Sequence, residues 1–479
     1  MGPFSGRTIE AKLSWPARGI LIIGRKNLKQ TLEKIKATWI IQLELVMGTS
    51  MHRRTFVKSA ATGALACALG HSRIFAQAED RFPEPPQLPF LKEKSGLEIT
   101  RIRAAKLVPK RPLPEYTPTP GSWNTSRVEI ANPLSIYARF KPRRSTFFAD
   151  DLGPQSVVVE TNKGITGYGY GGPGASFVVE RHLPKLLLGE DPFQVERLWD
   201  IMWRGTVYYG RKGLVVHALS AVDNALWDII GKALKLPVYE LLGGTTRNRV
   251  PTYCTGNNME QAVEFGFKKI KLALPHGPAD GEEGLDKNEA LVERARQLLG
   301  SDGQIMLDCW MALTVPYAEK LAARLKPYRV YWMEECLMPD DYTGMGELNA
   351  RVNSTHMATG EHESTRFGFE LLAKHKAADI WQPDMNWCGG LTELRWIDAL
   401  ARAHNTPVIP HGGWRGGAAH FVFANENTPW CEMFLPWPGG PKEVYDRFEE
   451  ENGITRGPEG IYMRPSDRPG FGFETSEPV

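Results

Sequence analysis

At 479 residues, 42% hydrophobic and 24% charged, the chain has ordinary globular composition, enough for two domains or for one large barrel with additions. Its net charge of +3 is misleading: residues 1–77 carry nine more basic than acidic groups, so the remainder stands at −6, which excludes a nucleic-acid-binding body. No run is read as approaching the roughly 20 apolar residues of a membrane span, so no membrane anchoring is expected. Beyond the leader, Cys254, Cys309, Cys336, Cys388 and Cys431 lie far apart with no CxxC pair, which excludes a disulfide framework.

In chain order, the first signal is "MHRRTFVKSAATGALACALGHSRIFAQA" (Met51 to Ala78). Paired arginines precede a short small-and-apolar core and an "AQA" that suits a signal peptidase, the pattern of a twin-arginine export signal and hence of a periplasmic protein. A signal must lie near the true start, so residues 1–50 read as a non-native upstream extension with translation starting at Met51. Residues 79–96 are Pro-rich and charged, a linker. Residues 97–244 read as an α+β domain. "SVVVETNKGITGYGYGG" is a strand, an Asn-Lys-Gly turn and a second strand. Helices follow, the last a long apolar one beginning near Gly213.

Past Gly244 the pattern becomes strict strand–helix alternation. Eight strand-like runs begin at Val250, Lys268, Gln304, Val330, Met357, Asp379, Pro407 and Trp430. Alternation argues for a parallel sheet, and eight units in residues 245–444 argue for a (β/α)8-type barrel. The α+β segment before it is expected to cap the barrel, with the tail 445–479 returning to the cap.

The polar residues at the strand ends are Lys271, Asp308, Glu334, Glu361, Asp384, His411 and Glu432, spaced 21 to 37 residues apart, about one βα unit each. In a barrel those ends share one mouth, where catalytic groups sit. Two carboxylates about 4 Å apart repel by roughly 4 kcal/mol at an effective dielectric near 20. Asp308, Glu334 and Glu361, from three successive strands, therefore demand a cation. An all-oxygen set suits Mg2+, with Mn2+ as the alternative. In "MEEC", strand alternation sends Glu334 and Glu335 to opposite sides. His411 and Asp384 on neighbouring strands form an acid/base pair. Lys271 is either a base beside the dication or a fixed cation, and Lys269 shares its side of the strand. Such a set fits removal of a proton α to a carboxylate, with a metal stabilising the enediolate.

These residues resemble the enolase superfamily in its mandelate racemase/muconate lactonizing branch, and within it the L-rhamnonate dehydratase group. The resemblance rests on "GLVVHALSAVDNALWD", "HGPADGEEG", "MLDCWM", "EECLMP", "TGEH", "QPDMNWCGGLTEL", "VIPHG" and "RPGFGFE". It implies a capped barrel and Mg2+ on Asp308, Glu334 and Glu361. It makes His411 with Asp384 the acid/base, adds His362 as a further site residue, and places Glu432 and Arg144 near the substrate; Lys269 joins them as a candidate substrate cation. The implied reaction dehydrates a six-carbon aldonate to a 2-keto-3-deoxy acid. The other readings are a racemase or epimerase with Lys271 and His411 as opposed bases, and a non-catalytic periplasmic sugar-acid-binding protein. The expected partner is a small sugar acid, and analogy adds a homo-oligomer. The stretch 121–145 contains no His where the resemblance implies a His-rich loop.

Overall fold

The computed structural model describes residues 95–117, 130–141, 152–245, 247–414, 417–436 and 439–476. The upstream extension, the leader, nearly all of the linker and Arg144 lie outside the described residues.

The N-terminal part begins with β1 (Ile99–Ala105) and β2 (Val108–Pro109). Next come β3 (Ser156–Thr161) and β4 (Thr166–Tyr170), which pair antiparallel in the order β1-β3-β4. The Asn-Lys-Gly turn joins β3 to β4, with Gly164 at φ 74, a left-handed conformation that glycine adopts without steric cost. Helices α1 (Ala175–Arg181), α2 (Val195–Thr206) and α3 (Leu214–Leu234) follow. β4 lies directly on α3. Alternation points Gly167 and Gly169 at the helix, and a Cβ at Gly169 would stand 1.9 Å from the Ala221 carbonyl oxygen. Gly169→Ala is therefore expected to lose about 3 kcal/mol, the upper end of overpacking. Urea unfolding would show it as a lower midpoint at constant m, and an unchanged midpoint would refute this packing.

After Gly244, seven parallel staves stand among the described residues. β5 (Val250–Thr255), β6 (Lys269–Ala273), β7 (Gln304–Asp308), β8 (Val330–Glu334), β9 (His356–Thr359) and β10 (Ile380–Trp381) pair successively, and β11 (Cys431–Met433) flanks β5 on its other side. The stave expected at Pro407–Gly413 makes a single bridge, Val408 to Trp381. Pro407 and Pro410 have no N–H to give to a ladder, and the Val408 N–H goes to the Asn427 carbonyl. The intervening helices are α4 (Met259–Phe265), α5 (Gly281–Leu299), α6 (Val315–Leu325), α7 (Tyr342–Arg351), α8 (Thr365–His375), α9 (Gly390–Ala403) and α10 (Ala418–Ala424). Inward-facing Tyr253, Met306, Trp332, Ala358, Ile380 and Ile409 form one apolar plug inside the staves. The architecture is a (β/α)8-type barrel with an α+β cap.

The tail does more than return to the cap. After α11 (Lys442–Glu451), β12 (Thr455–Gly457) and β13 (Gly460–Met463) extend the barrel sheet, with β13 antiparallel to β5. The chain meets the cap on both sides of this excursion: Glu450 on α11 lies 3.5 Å from Arg111, and further on the Phe471 N–H donates to Asp228 on α3 at 2.9 Å and β14 (Thr475–Ser476) pairs with β2.

By length and composition the 21-residue α3 could cross a membrane, contrary to the expectation that no run would. It is instead a core helix, 89% of its most apolar window lying inside the protein. Its few polar groups explain its position. Ser220, Asn224 and Asp223 accept from the Gly389, Leu391 and Thr392 N–H groups at 2.9, 3.0 and 2.9 Å. These N–H groups, at and just before the start of α9, have no partner within their own helix. The cap helix thereby anchors the loop that carries Asp384.

Candidate active site

Three acids meet at the mouth. Asp308 and Glu334 end β7 and β8 in register with each other, and Glu361 lies just past β9. One carboxyl oxygen of each lies within 4.8 Å of the other two. All three are buried. Burial, reinforced by neighbouring carboxylates, pushes each of them up to about 7.

Lys271 reaches this cluster as a locked cation. Its Nζ lies 2.6 Å from Glu334 Oε1, 2.8 Å from Glu432 Oε1 and 3.7 Å from Asp308 Oδ2. Burial alone would favour the neutral amine, but Glu334 and Glu432 outweigh it and hold the lysine well above its ordinary range. Of the two roles the sequence left open, this arrangement corresponds to the fixed cation. Glu432 is likewise engaged. Thr255 donates to the oxygen it shares with Lys271, and the Gly412 N–H donates to the other at 2.6 Å. Burial opposes its charge, but Lys271 and His411 prevail and hold it down to about 2. It braces the backbone beside His411. Lys271→Met would leave this group of buried acids without its lysine. A loss of about 3 kcal/mol or more in the metal-free protein is expected, read as a fall in Tm. A Tm within a degree or two of wild type would contradict the placement.

Lys269 does not join the site. It lies two residues earlier on the same stave, some two-thirds of a nanometre towards the closed end by the ~3.3 Å strand rise. There its Nζ binds Glu459 Oε2 at 3.1 Å and lies 5.4 Å from the Trp430 ring centre.

His411 and Asp384 form the expected pair, Nδ1 to Oδ2 at 2.7 Å. His411 Nε2 lies 3.3 Å from Glu361 Oε1, so the dyad borders the acid cluster. Burial would lower this imidazole, but Glu361, Glu432 and Asp384 push it up to about 10. His362 pairs through Nδ1 with Glu335 Oε2 at 2.8 Å, and despite burial Glu335 and Glu361 raise it to about 9. Glu335 is past the strand end with φ 46, so alternation no longer applies to it and both glutamates of "MEEC" stay near the mouth.

A second cluster, Glu335, Glu361 and His362, also has ligand atoms within 4.8 Å of one another. It already neutralises itself: Glu335 is held low and His362 high by each other. The three-acid cluster shares Lys271 with Glu432 and His411 with Asp384, so it keeps a net negative charge on hard oxygens, which is what a small dication takes up.

Sequence reasoning missed several supports. Trp332 Nε1 and Gln382 Nε2 donate to Glu334 Oε2 at 3.0 and 2.7 Å. Both lie two residues before a strand-end acid, so the period-2 rule that found the acids could have found them too. The Trp387 ring lies 5.3 Å from the His411 ring and 5.6 Å from that of His362, and no pattern in the sequence marked it.

A capped barrel with acids on three successive staves and an Asp–His pair on the next two defines an enolase-type protein. Residues 153–243 match the mandelate racemase/muconate lactonizing enzyme N-terminal domain, and residues 255–479 match the enolase C-terminal domain-like family. The chain belongs to this mandelate racemase/muconate lactonizing enzyme family. It is 44% identical to an L-rhamnonate dehydratase of Saccharopolyspora erythraea over 354 residues, 73% of this chain and 90% of that one. The crystal structure of L-rhamnonate dehydratase from Gibberella zeae superposes with TM-score 0.68 at 34% identity, covering 81% of this chain and 95% of that one. The same enzyme solved complexed with Mg gives TM-score 0.68 at 34% identity, covering 80% and 95%.

Proposed function

We propose that the protein is a Mg2+-dependent hydro-lyase that dehydrates a six-carbon aldonate of the L-rhamnonate type to its 2-keto-3-deoxy acid. The observation that carries this is the junction of the two halves of the site: Glu361 belongs to the three-acid cluster and lies 3.3 Å from the Nε2 of the His411–Asp384 pair. Asp308, Glu334 and Glu361 would hold the ion. When bound, Mg2+ stabilises the negative charge that develops on the substrate carboxylate and offsets the pull of Glu361 on His411.

The chain supplies the rest. Asp384 fixes the His411 tautomer with hydrogen on Nδ1 and leaves Nε2 to take the α-proton. The imidazolium so formed returns a proton to the β-hydroxyl, which departs as water. His362, kept cationic by Glu335, offers a donor beside the same Trp387 ring. Lys271 neutralises Glu432 and part of Glu334, so the site does not accumulate more charge than one dication can balance.

The racemase alternative needs a second base, and Lys271 is a buried cation between two glutamates. The binding-protein alternative leaves the intact His–Asp pair without a purpose. Incubation with Mg2+ and a panel of aldonates and aldarates, followed by semicarbazide assay for keto acid, tests the proposal. Product from an aldonate, abolished by EDTA, is expected; no product from any acid sugar with metal bound would refute it. Solvent deuterium entering the α-carbon without loss of water would favour the epimerase. Export by the twin-arginine route remains part of the proposal: N-terminal sequencing of the native protein should find a first residue near 79, and recovery of residues 1–50 would overturn it. Self-association, carried over by analogy, is measured by light scattering.

A further inference from the structure

His217 stands in the first turn of α3, half-buried. It lies on the helix face that bears Ser220 and Asn224 at three and seven residues on, the stripe that anchors residues 389–391. Its ring is wedged at two sides. A Cβ at Gly172 would meet imidazole atoms at 2.5 to 2.7 Å, and the Trp387 ring centre is 6.0 Å away. Trp387 is the indole that also borders His411 and His362, so three imidazoles surround one ring. The Nδ1 of His217 lies 3.1 Å from the Pro173 carbonyl oxygen. A carbonyl only accepts, so Nδ1 carries the hydrogen. Burial, opposed by that hydrogen bond, keeps the ring neutral by lowering its proton affinity. A neutral ring with hydrogen on Nδ1 presents Nε2 as an acceptor, and among the described residues Nε2 has no partner. At the mouth, His362 is paired with Glu335, Lys271 with Glu334 and Glu432, and His411 Nε2 is committed to the α-proton. A neutral, fixed acceptor on the cap side of the same indole is a different instrument: it suits an uncharged hydroxyl.

We propose that His217 is a specificity-determining residue whose Nε2 accepts a hydrogen bond from a hydroxyl of the substrate chain beyond the reacting carbons. The inference rests on the sugar-acid reading above and deepens it, by naming the group that distinguishes a polyhydroxylated chain from a deoxygenated or apolar one. His217 takes no part in proton transfer. It acts on binding, in ground state and transition state alike, so it should move KM and leave kcat.

The test compares wild type, His217→Leu and His217→Gln. Leu fills similar space without an acceptor, whereas the Gln amide oxygen restores one. Steady-state kinetics are measured on the acid sugar that wild type dehydrates and on an analogue lacking a hydroxyl beyond C3. For the parent substrate, KM in the Leu variant is expected to rise about tenfold, the effect of one neutral hydrogen bond, with kcat within about twofold. The Gln variant recovers most of the loss, and the substitutions have no effect on KM for the analogue that lacks the contacted hydroxyl. Unchanged KM in the Leu variant would overturn the inference. So would a fall in kcat at constant KM, which would mean that His217 only supports the Asp384 loop. Should the Leu variant fail to fold, the Gln variant decides alone: it must keep a KM near wild type and discriminate against the analogue. Wild type is assayed first. Turnover of no acid sugar would end the dehydratase reading itself, whereas wild-type turnover with indifferent variants would end only the role of His217.

Discussion

His411→Asn is expected to lower turnover of the acid sugar about a thousandfold or more while leaving fold and metal affinity intact. Asparagine can still donate to Asp384, so the 2.7 Å contact that orients this position has a replacement. What it cannot do is accept a proton. General acid–base catalysis by one positioned side chain contributes about 10²- to 10⁴-fold, and here one imidazole serves both the α-proton and the leaving hydroxyl, which places the loss in the upper part of that range. Asp384→Asn should cost less, since it leaves the imidazole but releases its tautomer. Turnover within tenfold of wild type in His411→Asn, with Mg2+ still bound, would remove His411 from the chemistry.

Asp308→Asn, the second substitution, separates the ion from the fold through the pH dependence of stability. Asp308, Glu334 and Glu361 have folded values of about 7, against ordinary carboxyl values near 4 in an unfolded chain. Between about pH 4 and pH 7 the folded state therefore holds protons that the unfolded state has lost, and stability falls as pH rises. His411 and His362, raised to about 10 and about 9, act in the same sense: their contribution is complete below about pH 6.5 and is lost as pH rises through those values. Glu432 acts oppositely, but its contribution is lost only as pH falls towards its value of about 2. The ion-free protein should thus melt at a lower temperature at pH 8 than at pH 5. Mg2+ should restore more stability at pH 8, where the acids are ionised. Saturation to a hundred times Kd corresponds to about 2.7 kcal/mol. In Asp308→Asn the Mg2+ shift should vanish and the pH slope should flatten, because one repelling charge has gone. A Mg2+ shift of wild-type size in this variant would contradict the assignment.

How much of this was legible in the sequence follows from which rules hold at which residue. The strand-end acids were readable because an apolar run ending in a carboxylate recurs at βα spacing, and the dyad was readable for the same reason. The rule failed where the backbone leaves the strand: Glu335 has a left-handed conformation, so it turns to His362 instead of to the far side of the sheet. Lys269 shared the correct side with Lys271 but not its height, and a period of two says nothing about height. Glu432 was visible as a strand-end acid, yet its engagement by Lys271, Thr255 and Gly412 depends on three distant segments meeting. The stave at Pro407 looked like its neighbours in apolar content, and its two prolines should have argued against a full ladder. His217 was hidden in a helix apolar nearly all round, where a lone histidine reads as core.

The most direct measurement is anomalous diffraction from crystals soaked in Mn2+ as a stand-in for Mg2+. One peak per chain, bonded to an oxygen from each of Asp308, Glu334 and Glu361, is the predicted result. A peak held instead by Glu335 and His362, or no peak at the mouth of the barrel, would contradict the account.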